Sequence, residues 1–189
     1  MILVTVGAQM PFDRLVKTVD DWAATSGRAD VFAQIGPTQW KPRHIEWTPF
    51  LQPPEFREKV EQADVVVAHA GMGSIITALE LGKPIIVMPR RGDLCETRND
   101  HQLATARKFL AQGRILVAFD EKDLLEKLKS ISDFQATERI SAKASPRLLT
   151  AIRSFILTGA LPVPVGMSDK ASIEALREAD VMATKADMK

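Results

Sequence analysis

The 189-residue sequence has a single cysteine, Cys95. One thiol excludes an intrachain disulfide and a thiolate metal cluster, and it suits a reducing compartment. An excess of either charge is also missing: 25 Lys and Arg stand against 24 Asp and Glu, a formal net charge of +1. That balance leaves no electrostatic footprint for nucleic acid, and no basic stripe breaks it, so a nucleic-acid partner is not expected. Any anionic ligand has to be held locally. Long apolar runs are absent as well. The longest near the end, Phe155 to Met167, is interrupted by Pro162 and Pro164 and is too short to span a bilayer. The opening MILVTVGAQMPFD lacks the basic segment, apolar stretch and small-residue cleavage site of a secretory signal. The expectation is a cytoplasmic chain that reaches the inner face of a membrane only through a partner.

What the sequence does contain is an alternation of short apolar runs and helical patterns. With 46% hydrophobic and 26% charged residues it has the composition of an ordinary soluble domain. Ile2–Val6, Asp30–Ile35, His44–Trp47, Asp64–Ala68, Pro84–Met88 and Ile115–Ala118 read as strands, several as uninterrupted aliphatic runs that suit a sheet covered on both faces. Between them Phe12–Thr25, Pro53–Gln62, Ile75–Leu81 and Asp100–Ala111 read as helices. Asp120 caps a further helix over Leu124–Ile131, and Ser145-Pro146 opens a last amphipathic one that ends at Gly159. Alternation of this kind implies βαβ units, a mostly parallel Rossmann-like sheet and helices on both faces. We therefore expect a domain over 1–159 and a flexible or partner-docking tail over 160–189.

Ligands of such sheets bind beyond the carboxyl ends of the strands. Here those ends are Gly7–Gln9, His69–Ser74 and Pro89–Gln102. In the AHAGMGS stretch, Gly71 and Gly73 permit close backbone approach, and Ser74 offers a hydroxyl at the helix start. Free N–H groups at such a helix start make a ready diphosphate site. The stretch is neither a P-loop nor GxGxxG, and the same residues suit an ordinary tight strand-to-helix turn with a capping serine. The PRRGDLCETRNDHQ stretch is long for its position. Arg90 or Arg91 could pair a phosphate, and Asp100, His101 and Gln102 could hold sugar hydroxyls. A solvated charged loop, with Asn99 or Asp100 as a helix cap, is the alternative. His69, His101, Cys95, Asp93 and Glu96 match no zinc spacing, and Ser74, His101 and Asp93 lack the elbow of a nucleophilic triad. His44 reads as structural.

VTVGAQMPFDRLV, DVVVAHAGMGSIITALELGKPIIVMPR and NDHQLATA, in that order, resemble the C-terminal, donor-binding domain of family 28 glycosyltransferases. The likeness covers about residues 1–120. It is to the small single-domain branch that includes the cytosolic subunit of the dolichol-linked N-acetylglucosaminyltransferase and bacterial exopolysaccharide glycosyltransferase subunits. The resemblance implies one half of a GT-B fold, a UDP-sugar donor and metal-independent transfer with no cofactor. It places Gly7–Gln9 near the phosphates or the acceptor cleft, and the turn Trp47–Leu51, which carries Phe50 and Leu51, on the uracil. Gly71, Met72, Gly73 and Ser74 then hold the diphosphate and Asp100, His101 and Gln102 the sugar hydroxyls, with His69 and Asn99 as further donor-binding positions. One position departs from the family: where members carry a ribose-binding glutamate, this chain has Thr77. The nearest carboxylate on that helix, Glu80, is three residues or about 4.5 Å further along the axis.

Family enzymes also have an acceptor-binding half that this sequence does not show and on which the general base resides, so no catalytic residue is assigned. The expected function is that of the donor-binding subunit of a two-component UDP-sugar glycosyltransferase. It would transfer a hexosyl or N-acetylhexosaminyl group to a lipid-linked or polysaccharide acceptor held by a membrane-associated subunit. A homodimer is compatible with this. The alternative is a non-catalytic nucleotide-sugar-binding regulatory or scaffold protein, for which the missing carboxylate at Thr77 speaks. A stand-alone hydrolase or epimerase is disfavoured, because no local acid/base pair is visible.

Overall fold

The computed structural model describes residues 1–135, 139–141 and 143–159. The chain divides into two units, residues 1–142 and 143–189. The expectation for the tail over 160–189 lies outside the described residues.

The first unit is a six-stranded sheet with strands β1 (Ile2–Thr5), β2 (Val31–Gln34), β3 (Glu46–Thr48), β4 (Val65–His69), β5 (Ile85–Met88) and β6 (Leu116–Val117). Their order is β3-β2-β1-β4-β5-β6, and every pairing is parallel. The aliphatic runs of β1, β4 and β5 lie in the middle, where both faces are covered. The edge strand β3 exposes Glu46 and Trp47. Helices α1 (Asp13–Ser26), α2 (Pro53–Gln62), α3 (Met72–Glu80), α4 (His101–Ala111) and α5 (Glu121–Lys129) supply the crossovers.

Alternate residues of each strand feed two separate cores. Ile2, Val4, Val67 and Met88 pack with Leu15, Val16 and Val19 of α1 and with Leu124 and Leu128 of α5. Leu3, Val66 and Val87 pack on the other face with Val60 of α2, Ile75 and Leu79 of α3 and Ala106 of α4. This is the doubly wound arrangement that the strand–helix alternation predicts, and the strand order reverses between β1 and β4.

Three boundaries differ from the sequence reading in ways that matter. The third strand lies two residues later than His44–Trp47 at its start because Asp20, buried on α1, takes the backbone N–H groups of Arg43 and His44. Those residues are thereby held in a turn. The helix expected at Ile75 begins at Met72, with Gly71 as its cap residue. The helix expected at Leu124 begins at Glu121, where the Asp120 carboxylate accepts from the Asp123 N–H at 2.8 Å, and it gives way to a single tight turn over Ile131–Asp133.

The second unit contains α6 (Pro146–Thr158). The Ser145 hydroxyl caps it, accepting from the Leu148 N–H at 3.2 Å, and Gly159 closes it in the left-handed conformation. Leu148, Leu149, Ile152, Phe155 and Ile156 recur along it at helical spacing. No helix among the described residues is long and apolar enough to cross a membrane.

Candidate functional site

Where the strand order reverses, the chain ends of β1 and β4 diverge and leave a crevice. A cleft of about 520 Å³ opens there. Its floor is formed by the end of β1 and the following turn, Thr5 to Met10, together with Gln34 and His69. Gly73 and Ser74 of α3 form one wall, and Phe50, Leu51, Pro53 and Phe56 form an apolar one. Arg90, Thr97, His101 and Gln102 close the remainder. No carboxylate is among these lining residues.

The start of α3 is the most polar feature of the cleft. Because Met72 is its first helical residue, the N–H groups of Met72, Gly73 and Ser74 have no acceptor within the helix, and the first intrahelical bond is from Ile75 to the Gly71 carbonyl. No side chain caps them. Ser74, read from the sequence as a cap, is instead inside the first turn, buried and lining the cleft. A Cβ added at Gly73 would meet nothing within 4 Å, so that residue opens onto free space. Unsatisfied N–H groups and the positive end of the helix dipole make this an anion site.

His69 ends β4 and lies between two glycines. A Cβ at Gly71 would fall 2.7 Å from the ring Cε1, and one at Gly7 would fall 2.9 Å from the same atom. Gly7 also has φ +76°, so its conformation and its space both demand glycine. Burial chiefly, and then the Arg90 charge, push the imidazole down to about 4, with the Thr5 backbone opposing. The ring is therefore neutral near neutral pH. Among the described residues its Nδ1 has no hydrogen-bond partner, although it is buried.

The loop between β5 and α4 is held by ion pairs, not left as a solvated strip. Glu96 receives Arg14 through Nε at 2.7 Å and Nη2 at 2.8 Å, and it also accepts the Arg91 N–H at 2.9 Å. Arg91 pairs with Asp93 on the exposed side. The Asp100 carboxylate accepts the Gly92 N–H at 3.0 Å, so it ties the loop instead of capping α4. Asn99 bonds the His101 ring at Nδ1 and its backbone N–H. Gln102 is buried, and its Oε1 accepts the Arg90 N–H at 3.1 Å. Arg90 itself is only 3% exposed. Its guanidinium donates to the carbonyls of Val6 at 2.8 Å, Met10 at 2.7 Å and Pro11, and to that of Glu96 at 3.4 Å.

The structure thus brings Gly7, Gln9, Phe50, Leu51, His69, Gly73, Ser74, Arg90, His101 and Gln102 to one cleft. Gly71, Met72, Thr77, Glu80, Asn99 and Asp100 are outside its lining. The Thr77 hydroxyl donates to the Gly73 carbonyl at 2.9 Å, and Glu80 pairs with Arg57 of α2 at 3.3 Å. Glu80 is therefore not in the place of the absent carboxylate. Sequence reasoning passed over Thr5, Gln34 and Phe56. Gln34 did carry a signal: it is a polar side chain, only 4% exposed, that ends an apolar strand. Its carboxamide reaches the Gly7 carbonyl at 3.4 Å. Among the described residues no three His, Cys, Asp or Glu side chains lie close enough together to hold a metal ion.

Residues 1–149 match the glycosyltransferase family 28 C-terminal domain. The UDP-N-acetylglucosamine transferase subunit ALG13 of Homo sapiens is 36% identical over 59 residues, 31% of this chain and 5% of the human one. The protein of that name from Yarrowia lipolytica is 25% identical over 137 residues, 64% of this chain and 65% of its own length. The chain thus spans less than two thirds of either relative. The NMR solution structure of ALG13 superposes with a TM-score of 0.53 at 19% identity, over 75% of this chain and 90% of that one, which is a likeness of fold.

Proposed function

The chain belongs to the family of glycosyltransferase family 28 C-terminal domains, and on that premise we propose that its cleft binds a UDP-sugar for a two-component glycosyltransferase. The observation that carries this reading is the uncapped start of α3, open at Gly73, in a cleft with no carboxylate among its lining residues. A diphosphate on the N–H groups of Gly73 and Ser74, the part of the helix start that lines the cleft, meets donors and a positive dipole without repulsion. The apolar wall at Phe50 and Leu51 suits a base, and Gln102 and His101 face the remaining space where a sugar would extend. In such a complex the same N–H groups stabilise the leaving diphosphate, which removes the need for a metal.

Proton transfer needs another source. The cleft lining has no carboxylate, His69 is enclosed between Gly7 and Gly71 and made a weak base by burial, and the His101 ring is engaged through Nδ1 by Asn99. The base then comes from an acceptor-binding partner, in keeping with the name of transferase subunit that the relatives carry. The acceptor in this reading is lipid-linked or a growing polysaccharide at the inner membrane face, and α6 is a candidate docking element for the partner. The test is transfer of labelled sugar from UDP-sugars to extracted lipid acceptor, by the purified chain alone and with membranes of its source cell. Transfer that appears only with membranes supports the reading. Full-rate transfer by the chain alone to a soluble acceptor contradicts it.

One observation favours a second reading, a nucleotide-sugar-binding regulatory or scaffold protein. Thr77 and Glu80 are both engaged elsewhere, so no carboxylate of α3 meets the ribose hydroxyls. Donor binding with no transfer in the presence of the membranes distinguishes it.

A further inference from the structure

Arg90 is placed where a phosphate-binding arginine would be expected, yet its guanidinium does not reach for a ligand. Both Nη atoms donate to backbone carbonyls, three of them in the turn after β1, at Val6, Met10 and Pro11. The ring of Phe12 packs on it at 4.9 Å. No carboxylate among the described residues bonds it. The one that acts on it, Glu96, is already taken by Arg14 and the Arg91 N–H. Burial lowers the guanidinium to about 10, the mark of a charge held at a desolvation cost.

Two consequences follow. Tying down the carbonyls of Val6, Met10 and Pro11 fixes the conformation of the intervening turn. Ala8 and Gln9 line the cleft there, and their N–H groups have no acceptor among the described residues. The buried positive charge also lines a cleft that has no carboxylate among its lining residues to oppose it.

We propose that Arg90 is a positioning residue for the anionic part of the ligand, holding the Gly7–Met10 turn as a second anion-binding wall opposite the start of α3 and supplying the charge that the bound phosphates neutralise. This rests on the reading of the cleft as a diphosphate site. In that reading a pyrophosphate group meets the backbone N–H groups of the two turns, and Arg90 acts on it through the Gly7–Met10 turn and its charge, not by direct contact.

The experiment is an amide-shift titration of the intact chain with inorganic pyrophosphate, UDP and uridine, using wild type, Arg90→Gln and Arg90→Lys. In the wild type, pyrophosphate is expected to move the amides of Ala8 and Gln9 together with those of Met72 to Ser74. Arg90→Gln should weaken pyrophosphate and UDP by about tenfold or more, the size of a charge-assisted contact, while uridine changes by less than about twofold. Arg90→Lys keeps the charge but not the fork, so it should recover part of the affinity while the Ala8 and Gln9 amides exchange faster. Lys also guards against reading a folding failure of the Gln variant as loss of binding. Wild-type pyrophosphate binding that is absent, or unchanged in both variants, overturns the inference. So does an equal loss for uridine and pyrophosphate in Arg90→Lys, which would mark a purely structural role. Pyrophosphate binding through Arg90 with no preference for UDP would uphold the inference and sink the UDP-sugar reading instead.

Discussion

Gly73 and Gly71 are two residues apart on the same turn and have opposite requirements. A methyl group at Gly73 meets open space, whereas one at Gly71 meets the His69 ring. Gly73→Ala should therefore fold normally and gain up to about 1 kcal/mol from helix propensity, raising the unfolding midpoint by at most about 4 °C. Gly71→Ala should lower stability by about 1–3 kcal/mol, since His69 has no free space to enter. Thermal unfolding of the two variants checks both. An equal loss in both would show that Gly73 is confined as well. His69 supports a second residue-scale expectation. Its folded value of about 4 lies below the ordinary 6.5, so the unfolded chain binds the extra proton first. Its contribution to stability is then full above pH 6.5 and is lost as pH falls towards 4, by about 3 kcal/mol. Denaturant titrations of wild type and His69→Gln across that window should differ in slope. Parallel curves would mean that the imidazole is solvated.

At the scale of elements, the loop between β5 and α4 depends on one half-buried pair. The side chains of Arg14 and Glu96 are 12% and 13% exposed, and Glu96 also holds the Arg91 N–H. Glu96→Gln removes the closer of two carboxylates from a largely desolvated guanidinium, leaving it Glu121 at 3.3 Å and the Pro89 carbonyl, and should destabilise by about 2 kcal/mol. Faster amide exchange should be confined to the loop around Arg91 and Gly92, measured by hydrogen exchange. Uniform protection across the loop would contradict this. The sequence showed that the loop is long and charged, but charge content does not say which ion pairs form. Arg14 lies 82 residues from Glu96 in the chain, and nothing local links them. The start of α3 differs from the local pattern for a related reason. Two glycines lower helix propensity, so the pattern suggested a turn up to Ser74, whereas the packing of Ile75, Ala78 and Leu79 carries the helix back to Met72. The fate of Asp100 was equally invisible: its carboxylate prefers a loop N–H eight residues away to its own helix.

For the molecule as a whole, the aliphatic runs and their spacing sufficed to read a parallel, doubly covered sheet, because burial on both faces leaves a strong and simple pattern. The position of the cleft followed from the same alternation, since polar loops gathered where strands end. Depth within the cleft was not readable. Thr5 and Gln34 reach it because β1 and β2 pair in register at their ends, Thr5 opposite Gln34. Glu80 misses it because α3 turns that side chain towards Arg57. These are properties of register and helix phase that emerge only once the elements are packed. The central claim is that the start of α3 receives the diphosphate of a UDP-sugar. It is tested most directly by calorimetric titration of the purified chain and of Gly73→Val with UDP, UDP-N-acetylglucosamine, UDP-glucose, UDP-galactose and UDP-glucuronate. Saturable binding of one UDP-sugar to the wild type, abolished in a Gly73→Val variant that unfolds like the wild type, is the expected result. Binding that survives a side chain at Gly73 would place the donor elsewhere and contradict the account.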